Sequence, residues 1–235
     1  MAKKGKMTLK DRWNKIVEDL KPMTFKEKVE YFWMYYKEYL VIVFMVVMMS
    51  GMLINAWIYR SKEIMVTGMM VNVEIEQQGV NYLTSEYMTY LGGTPDKNIV
   101  ELDHARISML EDAGQAEAMY NMMMLLPARV TGGLLDYVML DQVALEYYIQ
   151  QEIFLDLREI FTEEEMAQWE AEGRIIYGQL EDDIEKIPYA IVVTDIPFVR
   201  DNVQVENQIY FALSGSTPRP EMCRNAWEYI NAWGK

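Results

Sequence analysis

The longest single pattern in the chain is an uncharged, mostly apolar run of residues, Tyr39 to Tyr59 (YLVIVFMVVMMSGMLINAWIY). A helix needs about 20 such residues to cross the hydrocarbon core of a bilayer, which is roughly 30 Å thick. The run therefore predicts one transmembrane helix over 39–59, which separates residues 1–38 from residues 60–235.

The charges on either side of this run predict its orientation. Residues 1–38 contain ten Lys and Arg against six Asp and Glu, whereas residues 39–235 contain twelve against thirty. Because basic flanks stay in the cytoplasm, we expect a cytoplasmic N-terminus and an extracytoplasmic C-terminal part at the cell membrane. Aromatic rings favour the headgroup region at the ends of a span. The residues expected there are Phe32, Trp33, Tyr36, Tyr39, Trp57 and Tyr59.

Two other interpretations of the apolar run stay open. A cleaved signal peptide has a shorter apolar core and a small-residue cleavage site, and no such site follows the run. A buried core helix rarely extends this far without a charge. We therefore expect a retained, single-pass signal-anchor. Before it, Thr24 and Glu27 have the spacing of a capping box, which predicts an interfacial amphipathic helix that continues directly into the membrane.

Beyond the anchor, strand-like and helix-like segments alternate. The predicted strands are Ile64–Glu76, Asn98–Leu102, Leu134–Leu140, Ile187–Thr194 and Gln208–Leu213. The predicted helices are Tyr82–Leu91, Gln115–Leu126 with an end near Pro127, Gln142–Gln151, a helix from the capping box at Thr162 to Gly173, and Pro218–Trp233. This alternation predicts an α/β domain with a single, mostly parallel sheet and helices on both faces.

Composition narrows the partners of this domain. Residues 60–235 suffice for one ordinary domain and contain no long linker, so we do not divide them. Their excess of acidic residues argues against nucleic acid as a partner. The lipid bilayer is the expected partner of the anchor, because the anchor is apolar. The one Cys, Cys223, excludes an intrachain disulfide, which a domain of this size does not need.

The sequence contains few of the residues and motifs that are typical of enzymes. His104 is the only His, which excludes a multi-His metal site. The sequence has no G-x-S-x-G, Walker-type or G-x-G-x-x-G motif. An enzyme would require Asp103, His104 and Asp141 to converge in one cleft. We predict no catalytic residues, no metal site and no cofactor.

A ligand site, if the domain has one, belongs at the carboxyl ends of the parallel strands. The candidates at that edge are Asn72, Asp103, His104, Asp141 and Gln142. The turn before the last helix adds Ser214, Ser216 and Thr217, because the amides at a helix N-terminus can hold an anion or carboxylate. The alternative, which we favour for Ser216 or Thr217, is simple capping of that helix.

Four short segments of the second half of the chain share a pattern with a known family. They are Asp136-Tyr137-Val138 and Phe154-Leu155-Asp156-Leu157 within LLDYVMLDQVALEYYIQQEIFLDLREIF, then Glu172–Gly178, then SGSTPRPEMCRNAWEYINAW at the end. These segments resemble one lobe of the type 2 periplasmic or extracellular solute-binding proteins. Those proteins usually have two lobes, and residues 60–235 suffice for about one. The segment KVEYFWMYYK (Lys28–Lys37) is similar to one found in uncharacterised single-pass membrane proteins of Gram-positive anaerobes.

The resemblance implies a fold and a location rather than an activity. We expect a non-enzymatic, membrane-anchored extracytoplasmic module that docks another cell-envelope protein. The alternative is a one-lobed solute-binding or ligand-sensing receptor domain with a small-molecule ligand. Docking comes first because small-molecule pockets bury most of the ligand surface, which one lobe alone does poorly.

Overall fold

The computed structural model describes residues 18, 21–106, 116–178, 186–205 and 207–234. The chain forms two compact units, Met1–Ser61 and Lys62–Lys235. The boundary falls just after the predicted anchor.

The described part of the first unit is dominated by one long helix, α1 (Phe25–Arg60). It begins with the predicted capping box, in which the carboxylate of Glu27 accepts hydrogen bonds from the backbone N–H of Thr24 (2.7 Å) and from its hydroxyl (2.8 Å). Its part Lys37–Arg60 has a mean hydropathy of 2.3, is not buried against protein, and is long and apolar enough to cross a membrane. Among the described residues this is the one helix of that kind, which is compatible with a single-pass membrane protein.

The residues predicted for the membrane interface all fall within α1. Trp33, Tyr39, Trp57 and Tyr59 are exposed on the helix surface. The side chains of Phe32 and Tyr36 lie outside the described part of the structure.

The second unit contains a large sheet and a small one. Its strands are β1 (Glu63–Val71), β2 (Glu74–Ile75), β3 (Asn98–Ala105), β4 (Tyr137–Asp141), β5 (Ile175–Gly178), β6 (Ile187–Val192), β7 (Val203–Gln204) and β8 (Ile209–Leu213). The large sheet has the order β3-β1-β4-β8-β6-β5, and β2 pairs with β7 in the small one. The predicted first strand is thus divided, because the chain leaves the large sheet at Asn72.

The α/β class is confirmed, but the large sheet is mixed. β1 lies between β3 and β4 and is parallel to both. The last strand, β8, is inserted between β4 and β6 and is antiparallel to both, and β5 is antiparallel to β6. Parallel pairing is therefore confined to one half of the sheet, since β8 enters it from the opposite direction.

Helices cover both faces of this sheet. They are α2 (Gln77–Asn81), a π-helical turn (Tyr82–Glu86), α3 (Tyr87–Tyr90), α4 (Ala116–Thr131), α5 (Gln142–Ile149), α6 (Glu163–Ala171), α7 (Pro197–Asn202) and α8 (Pro220–Asn231). Successive side chains of β4 point to opposite faces. Tyr137 and Met139 pack on the face covered by α8, and Val138 and Leu140 pack on the face covered by α4 and α5.

Helix α4 was predicted to end near Pro127, but it continues to Thr131. A proline inside a helix has no N–H and leaves the carbonyl four residues earlier, here that of Met123, without its helical donor. The hydroxyl of Tyr148 donates a hydrogen bond to this carbonyl at 3.1 Å, from a side chain that is completely buried. A contact between two helices thus satisfies the group that the proline leaves open. Gln115, the predicted start of the helix, lies outside the described residues.

A buried carboxylate ties the amino-terminal edge of β4 to the segment before α8. Asp136 is fully buried, and its oxygens accept hydrogen bonds from the backbone N–H of Thr67 (2.8 Å) and the hydroxyl of Thr217 (2.7 Å). The guanidinium of Arg219 lies 2.8 Å from the same carboxylate and also donates to the carbonyl oxygen of Ile64 at 2.7 Å. We call this group the Asp136 network.

Candidate ligand site at the strand switch point

The order of the parallel strands places a switch point between β1 and β4. From β1 the chain first forms β3 on one side of it and later β4 on the other side. Helices that leave neighbouring strands in opposite directions open a crevice at their carboxyl ends, where open α/β sheets bind ligands. The residues at this crevice are Asn72, which follows β1, and Asp141, which ends β4.

Asn72 is held in an unusual backbone conformation that aims its side chain at Asp141. Its φ is 57°, in the left-handed region that Asn tolerates better than most residues. Its backbone N–H donates to the carbonyl of Ala105 at 2.9 Å, which fixes it beside the end of β3. Its Nδ2 then lies 3.2 Å from Oδ1 and 3.3 Å from Oδ2 of Asp141.

Asp141 has two roles at this point. It is the N-cap of α5, where its Oδ1 accepts a hydrogen bond from the backbone N–H of Ala144 at 2.9 Å. The residue is 9% exposed, and its hydrogen-bond donors, the amides of Asn72 and Ala144, are uncharged. No Lys, Arg or His of the described ranges forms an ion pair with it. The carboxylate is therefore a nearly buried negative charge that uncharged groups alone neutralise in part.

The negative charge of Asp141 affects the pKa of Tyr210, which lies near the start of β8. Burial raises the pKa of the Tyr210 phenol, and the carboxylates of Glu146 and Asp141 raise it further. The phenol is therefore protonated at neutral pH and donates to the side-chain oxygen of Gln208 at 2.8 Å.

Asp141 opens onto a small polar cavity of about 130 Å³, which we call the switch-point cleft. Both sheets contribute to its wall. Asp141 of β4 and Ile209 of β8 belong to the large sheet, and Glu74 of β2 and Gln204 of β7 are paired in the small one. The residues that line it are Asn72, Glu74, Arg106, Asp141, Gln204, Asn207 and Ile209. All but Ile209 are polar, so the cleft suits a small, strongly polar molecule.

A second cavity of about 480 Å³, the adjoining cleft, shares part of this lining. Arg106 and Glu74 form an ion pair that lines both cavities, and their side chains are 71% and 56% exposed. The adjoining cleft adds Val73, Ile75, His104 and Ala105 and is the less polar of the two.

The structure brings together some of the residues predicted at this edge. Asn72 and Asp141 meet in the switch-point cleft, and His104 is exposed at the adjoining one. Asp103 forms an ion pair with Arg129, at 2.7 Å, and lines neither cleft. Gln142 is exposed and donates to the side chain of Glu146 at 2.7 Å. Asp103, His104 and Asp141 therefore do not converge in one cleft.

The predicted residues of the last turn lie at the opposite edge of the sheet. Since β8 is antiparallel to β4, its end at Leu213 lies beside Tyr137, where β4 starts. Ser214, which follows β8, is 1% exposed, and its backbone N–H donates to the carbonyl of Asp136. A mixed sheet thus separates residues that a wholly parallel one would bring together.

The capping interpretation for Ser216 or Thr217 is wrong. Helix α8 begins at Pro220, its N-cap is Arg219, and no side chain caps it. The hydroxyl of Thr217 is instead used by the Asp136 network, where it donates to Asp136 and accepts from the backbone N–H of Arg219.

Five residues of the switch-point cleft were not predicted: Glu74, Arg106, Gln204, Asn207 and Ile209. Arg106 directly follows the end of β3. The rule that ligands bind at the carboxyl ends of parallel strands, here called the strand-end rule, would have found it if the predicted strand had extended beyond Leu102. Gln204 and Asn207 come from a distant part of the sequence and carry no local signal.

Comparison of the chain with protein-family models, with curated proteins and with solved structures finds no match. Among the residues that the structure describes, no three His, Cys, Asp or Glu side chains are grouped as a metal site requires. The arrangement is that of a polar cleft at the carboxyl ends of parallel strands in an α/β domain.

Proposed function

We propose that this chain is a membrane-anchored, extracytoplasmic receptor domain with a single lobe, which binds a small polar ligand in the switch-point cleft. The observation that supports it is the position of Asp141. This carboxylate is nearly buried, lacks a cationic partner within the described ranges, and faces a polar cavity at the place where open α/β sheets bind ligands.

The charge pattern of the sequence supports the location. A basic N-terminal segment, an apolar helix of sufficient length and a strongly acidic remainder are typical of a signal-anchor with its C-terminal domain outside the cytoplasm. Protease added to intact cells tests this topology, because it should degrade the second unit and spare residues 1–38.

The proposed resemblance to one lobe of a type 2 solute-binding protein agrees with this function. Residues 62–235 form one compact unit around a single large sheet, with a cavity at the carboxyl ends of its parallel strands. This arrangement is what one lobe alone would offer to a ligand.

Docking of another cell-envelope protein is the second candidate function. Pockets for drug-sized molecules usually have volumes of about 300–1,000 Å³ and enclose most of the ligand. The switch-point cleft is smaller, about 130 Å³. A partner protein that inserts one polar side chain would close it from outside, and the same residues would then form the centre of an interface.

One pair of variants separates these functions from a purely structural role of the cleft. Asp141→Asn removes the charge but preserves the cap of α5, because Asn is as good an N-cap as Asp. Asp103→Asn makes the same chemical change near the end of β3, in the parallel half of the same sheet and outside both clefts.

The experiment is a thermal-shift screen of small polar metabolites on the full-length protein in mild detergent. A compound that stabilises the wild type and Asp103→Asn, but not Asp141→Asn, supports the receptor. If no compound does so, and an envelope protein co-purifies with Asp103→Asn but not with Asp141→Asn, docking is supported. If Asp141→Asn behaves as wild type in both assays, the cleft has neither function.

A further inference from the structure

We propose that the ligand of the switch-point cleft is a compact zwitterion, with a primary ammonium group bound by Asp141 and a carboxylate bound by Arg106. This inference rests on the proposed function and specifies the chemical class of the ligand. It follows from the charges, the hydrogen-bonding capacity and the size of the cleft.

The ammonium group is assigned from the state of Asp141. Its two oxygens accept three hydrogen bonds in all, from the amides of Asn72 and Ala144, while a carboxylate offers about four acceptor positions. A position is therefore left, together with a net negative charge that burial makes costly unless a cation pairs with it. An ammonium group carries three donors and a positive charge, and it supplies both needs.

The carboxylate is assigned from Arg106. Its ion pair with Glu74 is largely exposed, and exposed pairs contribute only about 0–1 kcal/mol. The guanidinium can therefore turn towards a ligand carboxylate at little cost, and its five N–H donors allow it to keep Glu74 as a partner. A ligand with only a negative charge would be repelled by Asp141 and Glu74, and one with only a positive charge would leave without an acceptor the donors of Arg106 that Glu74 does not use.

The volume of the cleft limits the size of the ligand. A cavity of roughly 150 Å³ holds benzene, which has six carbon atoms. The switch-point cleft, at about 130 Å³, is thus suited to a molecule with roughly six non-hydrogen atoms, or to the charged end of a longer one that continues into the adjoining cleft. The side-chain amides of Gln204 and Asn207 provide further uncharged donors and acceptors for such a ligand.

Three probes of similar size isolate the two charges. Alanine carries both charges, ethylamine lacks the carboxylate, and propionate lacks the ammonium group. Their binding to the full-length protein in detergent is measured by ligand-observed NMR at millimolar concentrations. We expect alanine to bind at least about tenfold more tightly than either of the others, as the loss of one charge-assisted contact predicts.

The variants assign each charge to its partner. Asp141→Asn should weaken alanine and ethylamine by about tenfold or more and should not weaken propionate, whereas Arg106→Gln should reduce alanine to the level of ethylamine. Asp103→Asn is the matched control and should bind all three as the wild type does. Equal affinities for alanine and propionate, or unchanged binding of alanine by Asp141→Asn, would overturn the proposal.

Failure of this inference differs from failure of the proposed function. If none of the three probes binds, but a compound from the metabolite screen depends on Asp141, the zwitterion is wrong and the receptor function stands. If no compound depends on Asp141, both are wrong.

Discussion

Replacement of Asp136 by Ala should destabilise the second unit more than any surface substitution does. The carboxylate is fully buried, and four contacts of 2.7–3.1 Å with Thr67, Thr217 and Arg219 end on its two oxygens. The substitution leaves the backbone N–H of Thr67 buried without this acceptor and leaves the guanidinium of Arg219 without its counter-ion.

The size of the effect follows from these losses. Removal of one partner of a buried ion pair costs about 3–5 kcal/mol, because it leaves an uncompensated charge in the interior. The side chain of Arg219 is 26% exposed, so water relieves part of its cost and places the expected loss near the lower end, at about 3 kcal/mol. Since whole domains are stable by only about 5–15 kcal/mol, this is a large fraction of the total.

The assay is urea-induced unfolding of the full-length protein in detergent, followed by tryptophan fluorescence. Glu228→Ala is the control, since it removes an exposed, one-turn ion pair with Arg224 that is worth about 0.3–0.5 kcal/mol. A double variant that also replaces Arg219 should lose less than the sum of the two single variants, because each single change already breaks the same pair. A loss below about 1 kcal/mol for Asp136→Ala, or strict additivity, would refute the role assigned to this network.

Three further predictions concern single side chains. Tyr148→Phe removes the donor that satisfies the carbonyl of Met123 and should lower the free energy of unfolding by about 1–3 kcal/mol in the same urea assay; an unchanged value would contradict it. Burial raises the pKa of the Cys223 thiol to about 12, so iodoacetamide at neutral pH should label it only when the domain unfolds, and rapid labelling of the native protein would show that it is not sealed. Burial alone would raise the pKa of Glu165, but the hydrogen bond from the Thr162 backbone and its other contacts outweigh it and lower the pKa below 4.5. The ionised carboxylate of Glu165 therefore contributes fully to stability above about pH 4.5, and this contribution is lost as the pH falls through the lowered pKa. Glu165→Gln should make the free energy of unfolding less sensitive to pH in that range, which urea titrations at several pH values can test.

Features that depend on neighbouring residues were predictable. The capping boxes predicted at Thr24 and Thr162 both form, because the two partners of each box are only three residues apart. The long apolar helix and most strands were also found, since each depends on a local pattern of apolar residues.

Features that depend on distant contacts were not predictable. The end of α4 was misplaced because the group that compensates for Pro127 is the hydroxyl of Tyr148, 25 residues away from Met123. The antiparallel insertion of β8 leaves no mark in its own sequence, and it decides which edge receives Ser214. Within the candidate site, the strand-end rule found Asn72 and Asp141, whereas Gln204 and Asn207 reach the cleft only through the fold.

The two aspartates that bracket β4 show why one carboxylate is assigned to the scaffold and the other to a ligand. Asp136, before the strand, is fully buried, and a guanidinium of the same unit neutralises it. Asp141, at its end, is almost as buried, faces a cavity, and has only uncharged partners within the described ranges. If Asp141 served only to cap α5, Asn would serve equally well and would avoid the cost of a buried charge. We therefore propose that a positive charge from outside the chain pairs with the carboxylate of Asp141.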